Sequence, residues 1–350
     1  MMKVECLGKN TVIWKAIDDC PLLPLYAKSA WGTVIERAFK HSPRHIVGLK
    51  DGNILDVLPL FLVRMPFLGK KLVSVPYDAC YGGFSSCQSE VRRQVVDELV
   101  TYAKRKRVKY IEIRSLSEVN ELSSFGFTQT NPFVTSVVPL RDCNENWSML
   151  SRKHRRNVNT AAKKGVAIEL ASNWSQMKAF YDLLLDHYTG IGTPFLGDLF
   201  FREIWENVIQ KNQGALLLAK FEERIIGGHL LLFSGDTLIS KYSTSRRDGI
   251  YSKLYSSYAL FWEAIKFGCT KEFQKFNLGI TGRSNLGLLE FKSRFGAATK
   301  DVNFYYYLLR GKIPEYEQYY ASYTSLKVLW SKLPKIITSK LGHKINGWIC

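Results

Sequence analysis

A chain of 350 residues is longer than one typical domain and predicts two, of about 150–170 residues each. Its 46% hydrophobic and 13% aromatic residues are ample for packed cores, which excludes a disordered polymer. The 49 Lys and Arg against 31 Asp and Glu leave a net charge of +18. Such an excess asks for an anionic partner: nucleic acid, a phosphorylated carrier, a nucleotide cofactor or an anionic membrane surface.

In chain order, the opening "MMKVECLGKN" lacks the apolar stretch of a signal peptide, and no run of 18 apolar residues follows. The expectation is a cytoplasmic protein. The seven cysteines stand singly (Cys6, Cys20, Cys80, Cys87, Cys143, Cys269, Cys350), with no CxxC and no zinc-type spacing. They suggest a reducing compartment, and no metal site is expected. "RHIVGLKDGNILDVLPLFLV" (44–63) predicts a strand, a tight Asp-Gly-Asn turn and a second strand. "KLVSVPY" (71–77), a helix over about 89–107 and the strand "KYIEIRS" (109–115) follow.

The second half repeats this order. "GALLLAKFEERIIGGHLLLF" (214–233) is a hairpin, "DTLISKYSTS" (236–245) a third strand, then a helix near 251–268 and the strand "EFQKFNLG" (272–279). A duplicated α/β unit accounts for the recurrence. Ahead of the second unit, Trp174, Met177, Tyr181, Leu184 and Tyr188 form one apolar helical stripe, and another helix is predicted near 197–211.

Between the halves lies "SRKHRRNVNTAAKKG" (151–165), with six Lys or Arg, one His and no acid. Arg152, Arg156, Asn159 and Lys163 fall at spacings of 4, 3 and 4, so they share one helical face, while Trp147, Leu150 and Val158 are placed toward a core. The tail from 318 to 350 has no acid, and its lysines alternate with Leu, Val, Trp and Ile. Such a segment either lies on an anionic membrane or packs its apolar side back on the first domain; packing with the lysines left free is the expectation.

These elements together resemble Fem-type proteins, a family of the GNAT acyltransferase superfamily built from two tandem GNAT-like domains. The segments "LVSVPYDACYGGFSS" (72–86), "MLSRKHRRNVNTAAKKGV" (149–166), "FYDLLLDHYTGIGTPFLGDLFF" (180–201), "NLGLLEFKSRFGA" (285–297) and "LWSKLPKIITSKLGHKI" (329–345) are similar to the subgroup found with exosortase (PEP-CTERM) and exopolysaccharide systems. The resemblance implies an α/β (α+β) fold of two tandem domains, each a mixed, mostly antiparallel sheet flanked by helices. Their expected spans are 1–145 and 146–310, with 146–165 as the linking helix and 311–350 as the tail. Two departures stand out. Asn277 occupies a place where the family often has an acid, and the long helical arm of the bridge-forming enzymes has no heptad segment to form it here.

The resemblance also implies candidate site residues. GNAT enzymes hold the pyrophosphate of acyl-CoA on an Arg/Gln-x-x-Gly-x-Gly/Ala loop between strand and helix, where backbone N–H groups meet the anion. "RRDGIY" (246–251) stands there: Arg246 and Gly249 fit, Arg247 adds charge, and Tyr251 replaces the small residue. An ordinary basic loop capping a helix accounts for the same residues. Lys292 is the leading candidate for a functional side chain, binding phosphate or stabilising an oxyanion, with Arg294 and Arg283 as further donor contacts. Asn277 and Tyr242 lie at strand ends, where open sheets tend to bind substrates, although polar core roles fit them equally. Arg114 and the Gly82-Gly83 pair are placed at an acceptor groove with Arg152 and Arg156, while the glycine pair also fits a loop needing positive φ. His154, His187 and His229 have no carboxylate at motif spacing, and GxSxG, Walker and HExxH patterns are absent.

The functional expectation is an acyltransferase moving an acyl or aminoacyl group to an amine or hydroxyl of a cell-envelope, peptidoglycan or exopolysaccharide precursor. It needs no tightly bound cofactor, and acyl-CoA or aminoacyl-tRNA is its co-substrate. Its partners are anionic small molecules or lipid-linked glycan precursors, tRNA, and an anionic membrane touched peripherally at its inner face through the basic tail; DNA is not expected. Two alternatives stay open: a non-catalytic Fem-like scaffold of an envelope assembly system, and a nucleic-acid (tRNA)-binding protein.

Overall fold

The computed structural model describes residues 2–8, 12–65, 69–78, 80–86, 88–314 and 324–349. Cys87, Cys350 and residues 315–323 of the tail lie outside the described residues. Two compact units emerge: Met1–Val134 with Asp301–Tyr323 and Lys344–Cys350, and Thr135–Lys300 with Thr324–His343. The division falls at 134/135, ahead of the expected 145/146, and both units are mixed sheets flanked by helices.

Unit 1 begins with β1 (Met2–Cys6), α1 (Val12–Asp19), α2 (Ser29–Phe39) and the short β2 (Ser42–Pro43). The predicted hairpin follows as β3 (Ile46–Lys50) and β4 (Asn53–Leu58), turning on Asp51 and Gly52 at φ of 50° and 82°. A two-residue turn with both φ positive matches the twist of antiparallel strands. The predicted second strand is broken at Pro59, which has no N–H for a ladder. β4 stays with β3 and β1 in a three-stranded antiparallel sheet. The chain resumes as β5 (Phe61–Met65) in another sheet, between β2 and β6 (Gly69–Val73). α3 (Ser89–Lys106) then crosses over to β7 (Tyr110–Ser115), which is parallel to β6. α4 (Glu121–Ser124) precedes β8 (Thr128–Pro139), which carries the chain from unit 1 into unit 2.

Unit 2 opens on α5 (Cys143–Met149), capped by Asp142, and α6 (Arg152–Lys163), whose first turn is capped by Ser151 Oγ accepting from His154 N at 3.3 Å. β9 (Ala167–Leu170), α7 (Trp174–Gly190) and α8 (Asp198–Ile204) follow, and α8 runs on as a π-helical turn over Trp205–Ile209. The antiparallel strands β10 (Gly214–Phe221), β11 (Arg224–Ser234) and β12 (Thr237–Ser245) lead through α9 (Ser256–Thr270) to β13 (Lys275–Gly282), parallel to β12. Strand, crossover helix and parallel strand therefore occur in both units, as the sequence repeat predicts.

The Gly227-Gly228 pair of β11 lets helices come close to the sheet. A Cβ on Gly228 would stand 2.5 Å from the Phe180 ring of α7, and one on Gly227 would press on Leu260 of α9 at 3.2 Å. Leu217, Leu231, Leu260, Ile265, Phe276 and Phe295 are central to the core beneath α9. α10 (Leu286–Ser293) and β14 (Ala298–Leu308) follow, and the latter runs back into unit 1 antiparallel to β7. The tail forms α11 (Thr324–Ser331) and α12 (Lys335–Ile349). Sequence alone points it at the first domain, yet residues 324–343 group with unit 2 and residues 344–350 with unit 1. Among the described residues no helix is long and apolar enough to cross a membrane.

Candidate active-site cleft

β12 and β13 pair only over Thr237–Ile239 and Lys275–Asn277, and then they part. Parallel strands that separate lose ladder partners on both facing edges, and those groups must be satisfied in another way. On β13 two side chains do this. Asn277 Oδ1 accepts from the N–H of Gly279 at 2.8 Å and from Thr135 Oγ1 at 2.7 Å, fixing a turn in which Gly279 takes φ 77°. Lys292, on α10, donates to Gly279 O at 2.6 Å, Ile280 O at 3.3 Å and Thr281 Oγ1 at 2.8 Å, and is 4% exposed. These two candidates thus meet at the strand divergence, holding it open rather than lining the cleft beside it.

That cleft has a volume of about 690 Å³ and lies wholly in unit 2. It is bounded by the end of β12 (Ser243, Thr244, Ser245), the Arg246-Arg247 turn, the first turn of α9, α10 and the start of α6. α9 starts from Tyr255 in the left-handed region at φ 55°, and no side chain caps it. Tyr258 N donates to Tyr255 O at 3.0 Å, but the N–H groups of Ser256 and Ser257 have no carbonyl within the helix to reach, and the positive end of the helix dipole lies beside them. Ser245 and Ser257 hydroxyls meet at 2.5 Å within the same wall. Four cations border the space: Lys153, Arg246, Arg247 and Arg294. Arg246 forks onto Asp248 at 3.1 and 2.7 Å and stacks 4.4 Å over the Tyr251 ring, which occupies the place where the loop pattern has a small residue. The Asp248 carboxyl is held below its ordinary range chiefly by that bond. Arg294 pairs with Glu290 at 2.5 Å.

Two histidines reach the same cleft. His154 is 1% exposed, packed edge-on against Tyr258 and Phe295, with Nε2 3.1 Å from Phe291 O. A carbonyl only accepts, so Nε2 carries the proton and Nδ1 the lone pair. Burial pushes the imidazole down to about 4. Desolvation and the nearby Arg247 guanidinium also lower His187.

Other candidates lie elsewhere. Gly249, at φ 51°, and the exposed Arg283 do not line the cleft. Tyr242 turns to the opposite face of β12, against Phe195 and Phe201. Arg152 and Arg156 stand on the outer face of α6 with Asn159 and Lys163, along an open groove of about 790 Å³. In unit 1, Arg114 is 5% exposed, bound to Glu112 at 2.6 Å and to the Val75 and Asp78 carbonyls at 3.2 and 2.5 Å. Neither Gly82 nor Gly83 has positive φ. Their need is space: a Cβ would strike Ser74 from Gly82 and Ser115 from Gly83. Sequence reasoning missed the Ser243–Ser245 run, the "YSSY" stretch at 255–258 and His154 as cleft lining; a polar cluster opening a helix was the available signal.

Residues 150–293 match the acetyltransferase (GNAT) domain. The match contains the whole cleft except the side chain of Arg294. Among solved structures, FemX aligns over 92% of this chain and 100% of its own at 15% identity, with a TM-score of 0.73. The C-terminal domain of a protein described as a lysylphosphatidylglycerol synthetase from Agrobacterium fabrum aligns over 79% of this chain and 87% of its own (13% identity, TM-score 0.54). L-PGS from Bacillus licheniformis aligns over 83% and 90% (13% identity, TM-score 0.52). At these identities the likeness is one of fold. No curated protein matches the chain by sequence.

Proposed function

We infer that the GNAT domain of unit 2 is an acyltransferase that grips a phosphate-bearing acyl carrier in the cleft beside β12. The observation that carries this reading is the uncapped α9 N-terminus facing a space bordered by Lys153, Arg246, Arg247 and Arg294. Acyl-CoA is the carrier this domain type uses, and a volume near 690 Å³ suits part of such a ligand. The acyl group passes from the CoA thioester to an amine or hydroxyl, the C–S bond breaking as the C–N or C–O bond forms and the acceptor's proton leaving with the CoA thiol. Positioning with preorganised N–H donors supplies the acceleration without a strong base in the cleft. The resemblance of the sequence segments to Fem-type proteins suggests an envelope precursor as acceptor, peptidoglycan-type or exopolysaccharide, lipid-linked or soluble.

A second reading takes aminoacyl-tRNA as donor. It is favoured by Lys153, which borders both the cleft and the groove along α6, so a polyanion entering the cleft meets further cations outside it. Calorimetric titration with CoA, and with aminoacyl-tRNA at two salt concentrations, separates the two. CoA binding weakened about tenfold in the variant Arg247→Glu supports the first; tRNA binding that fails steeply with salt, without CoA binding, supports the second. Binding of neither carrier overturns both.

A further inference from the structure

Over Lys335–His343 the tail helix α12 is held by contacts on one side. Thr338 and Ser339 reach Thr189 and Tyr181 of α7 at 3.3 and 2.8 Å, His343 Nδ1 accepts from Gly197 N at 3.2 Å, and Lys335 pairs with Asp186. Gly342 lies so close to Phe195 that a Cβ would come within 2.9 Å of its backbone N. The docked side is thus set by specific contacts. The other side carries Ile336, Ile337, Leu341 and Trp348, which are 73%, 41%, 43% and 42% exposed. Positions 336, 337, 340, 341, 344 and 348 fall within one helical sector, so Lys340 and Lys344 share that face. The preceding helix α11 exposes Val328 and Leu329 at 52% and 59%, and Lys332 follows in the turn. Aliphatic side chains clustered in water mark an interaction surface. Here they are interleaved with lysines, without an acidic residue anywhere from 318 to 350.

A protein partner matching this face needs apolar contacts ringed by acids at fixed places. An anionic bilayer needs only an apolar layer beneath negative headgroups, which is what a helix with Ile, Leu and Trp pointing out between lysines meets. We propose that the α11–α12 face docks the protein on the surface of an anionic membrane, with Ile336, Ile337 and Leu341 entering the acyl boundary and Lys332, Lys340 and Lys344 on the headgroup phosphates. This deepens the envelope-precursor reading by naming how the chain reaches a lipid-linked acceptor, but docking itself does not depend on any acyl transfer.

Co-sedimentation of the full chain with vesicles of equimolar phosphatidylglycerol and phosphatidylcholine, against phosphatidylcholine alone, tests it. The protein is expected to pellet with the anionic vesicles only. Ile336→Ser/Ile337→Ser/Leu341→Ser should weaken binding on the order of fifty-fold with the folded state retained in the thermal melt, since Ile336 is mostly in water and Ile337 and Leu341 are only half-buried. Lys332→Glu/Lys340→Glu should cost about tenfold or more, and Ile336→Trp should tighten binding. Equal binding to both vesicle types, or none, overturns the proposal. So does binding that survives the triple Ser variant but is abolished by Arg152→Glu/Arg156→Glu, which would assign it to the α6 groove. A concentration-dependent dimer, seen by sedimentation velocity and removed by the triple variant without any vesicle binding, would assign the face to a second copy of the chain.

Discussion

Lys292 places an ammonium inside the protein, where it is worth having only if its protons are used. Gly279 O, Ile280 O and Thr281 Oγ1 take them, and these are acceptors that β13 exposes on leaving β12. Lys292→Met removes all three bonds and leaves the partly buried carbonyls of Gly279 and Ile280 and the Thr281 hydroxyl without this charged donor, at a cost of about 3 kcal/mol. In a unit of this size that predicts a fall in melting temperature of roughly 6–12 °C, readable by calorimetry. Activity should fall too, because the strand divergence beside the cleft loses its brace. Arg247 predicts the opposite signature. It is exposed, so Arg247→Glu should leave the melt nearly unchanged while weakening carrier binding about tenfold in a titration. Arg246→Ala should cost less than Arg247→Glu, since Arg246 already spends its fork on Asp248. Together the three variants separate the brace from the grip.

At the scale of elements, the two hairpins use the same turn with different chemistry. β3–β4 turns on Asp51-Gly52, while β10–β11 turns on Glu222-Glu223 at φ of 47° and 60°. Two glutamates in the left-handed region, side by side and of like charge, are strained where Asn-Gly is at ease. Glu222→Asn/Glu223→Gly should therefore raise stability by about 1 kcal/mol, a gain of roughly 2–4 °C in melting temperature. An unchanged or lower melt would show that the turn is not strained. The hairpins were legible in the sequence because alternation and turn residues are local, and so were the crossover helices and the exposed row of Arg152, Arg156, Asn159 and Lys163. The break at Pro59 was not, because it depends on β5 joining a different sheet from β4. The cleft was legible only at Arg246, Arg247, Tyr251 and Arg294. Its serines and tyrosines at 243–245 and 255–258 carry no periodic signal, and they converge only because β12 and β13 part. Lys292 and Asn277 stood out in sequence as reacting groups, yet their atoms face the backbone of Gly279.

For the whole molecule, buried histidines tie folding to pH in both units. His45 in unit 1 is fully buried, with Nδ1 3.2 Å from Leu60 O, and burial lowers it to about 4. His229 in unit 2 is fully buried beside Phe261 and Phe276, with Nε2 2.7 Å from Ser240 Oγ, and burial lowers it to about 3. A histidine near 6.5 in the unfolded chain but far lower in the fold binds its proton first in the unfolded state. Stability is then full above about pH 6.5 and falls as the pH drops toward the folded values near 4 and 3. Within that window each of the two contributes a slope of up to about 1.4 kcal/mol per pH unit, on the order of 3 kcal/mol for His45 and about 5 kcal/mol for His229. The net charge of +18 works in the same direction, since acid adds positive charge to a molecule that already repels itself. Substitution separates the two contributions: His229→Gln keeps a partner for Ser240 but cannot titrate, so it removes one histidine's slope and leaves the general repulsion. Urea unfolding at pH 7 and pH 5 should show a smaller loss of stability in His229→Gln than in the parent chain. Equal losses in the two proteins would mean that His229 is not buried in its neutral form and that the core beneath α9 is packed otherwise.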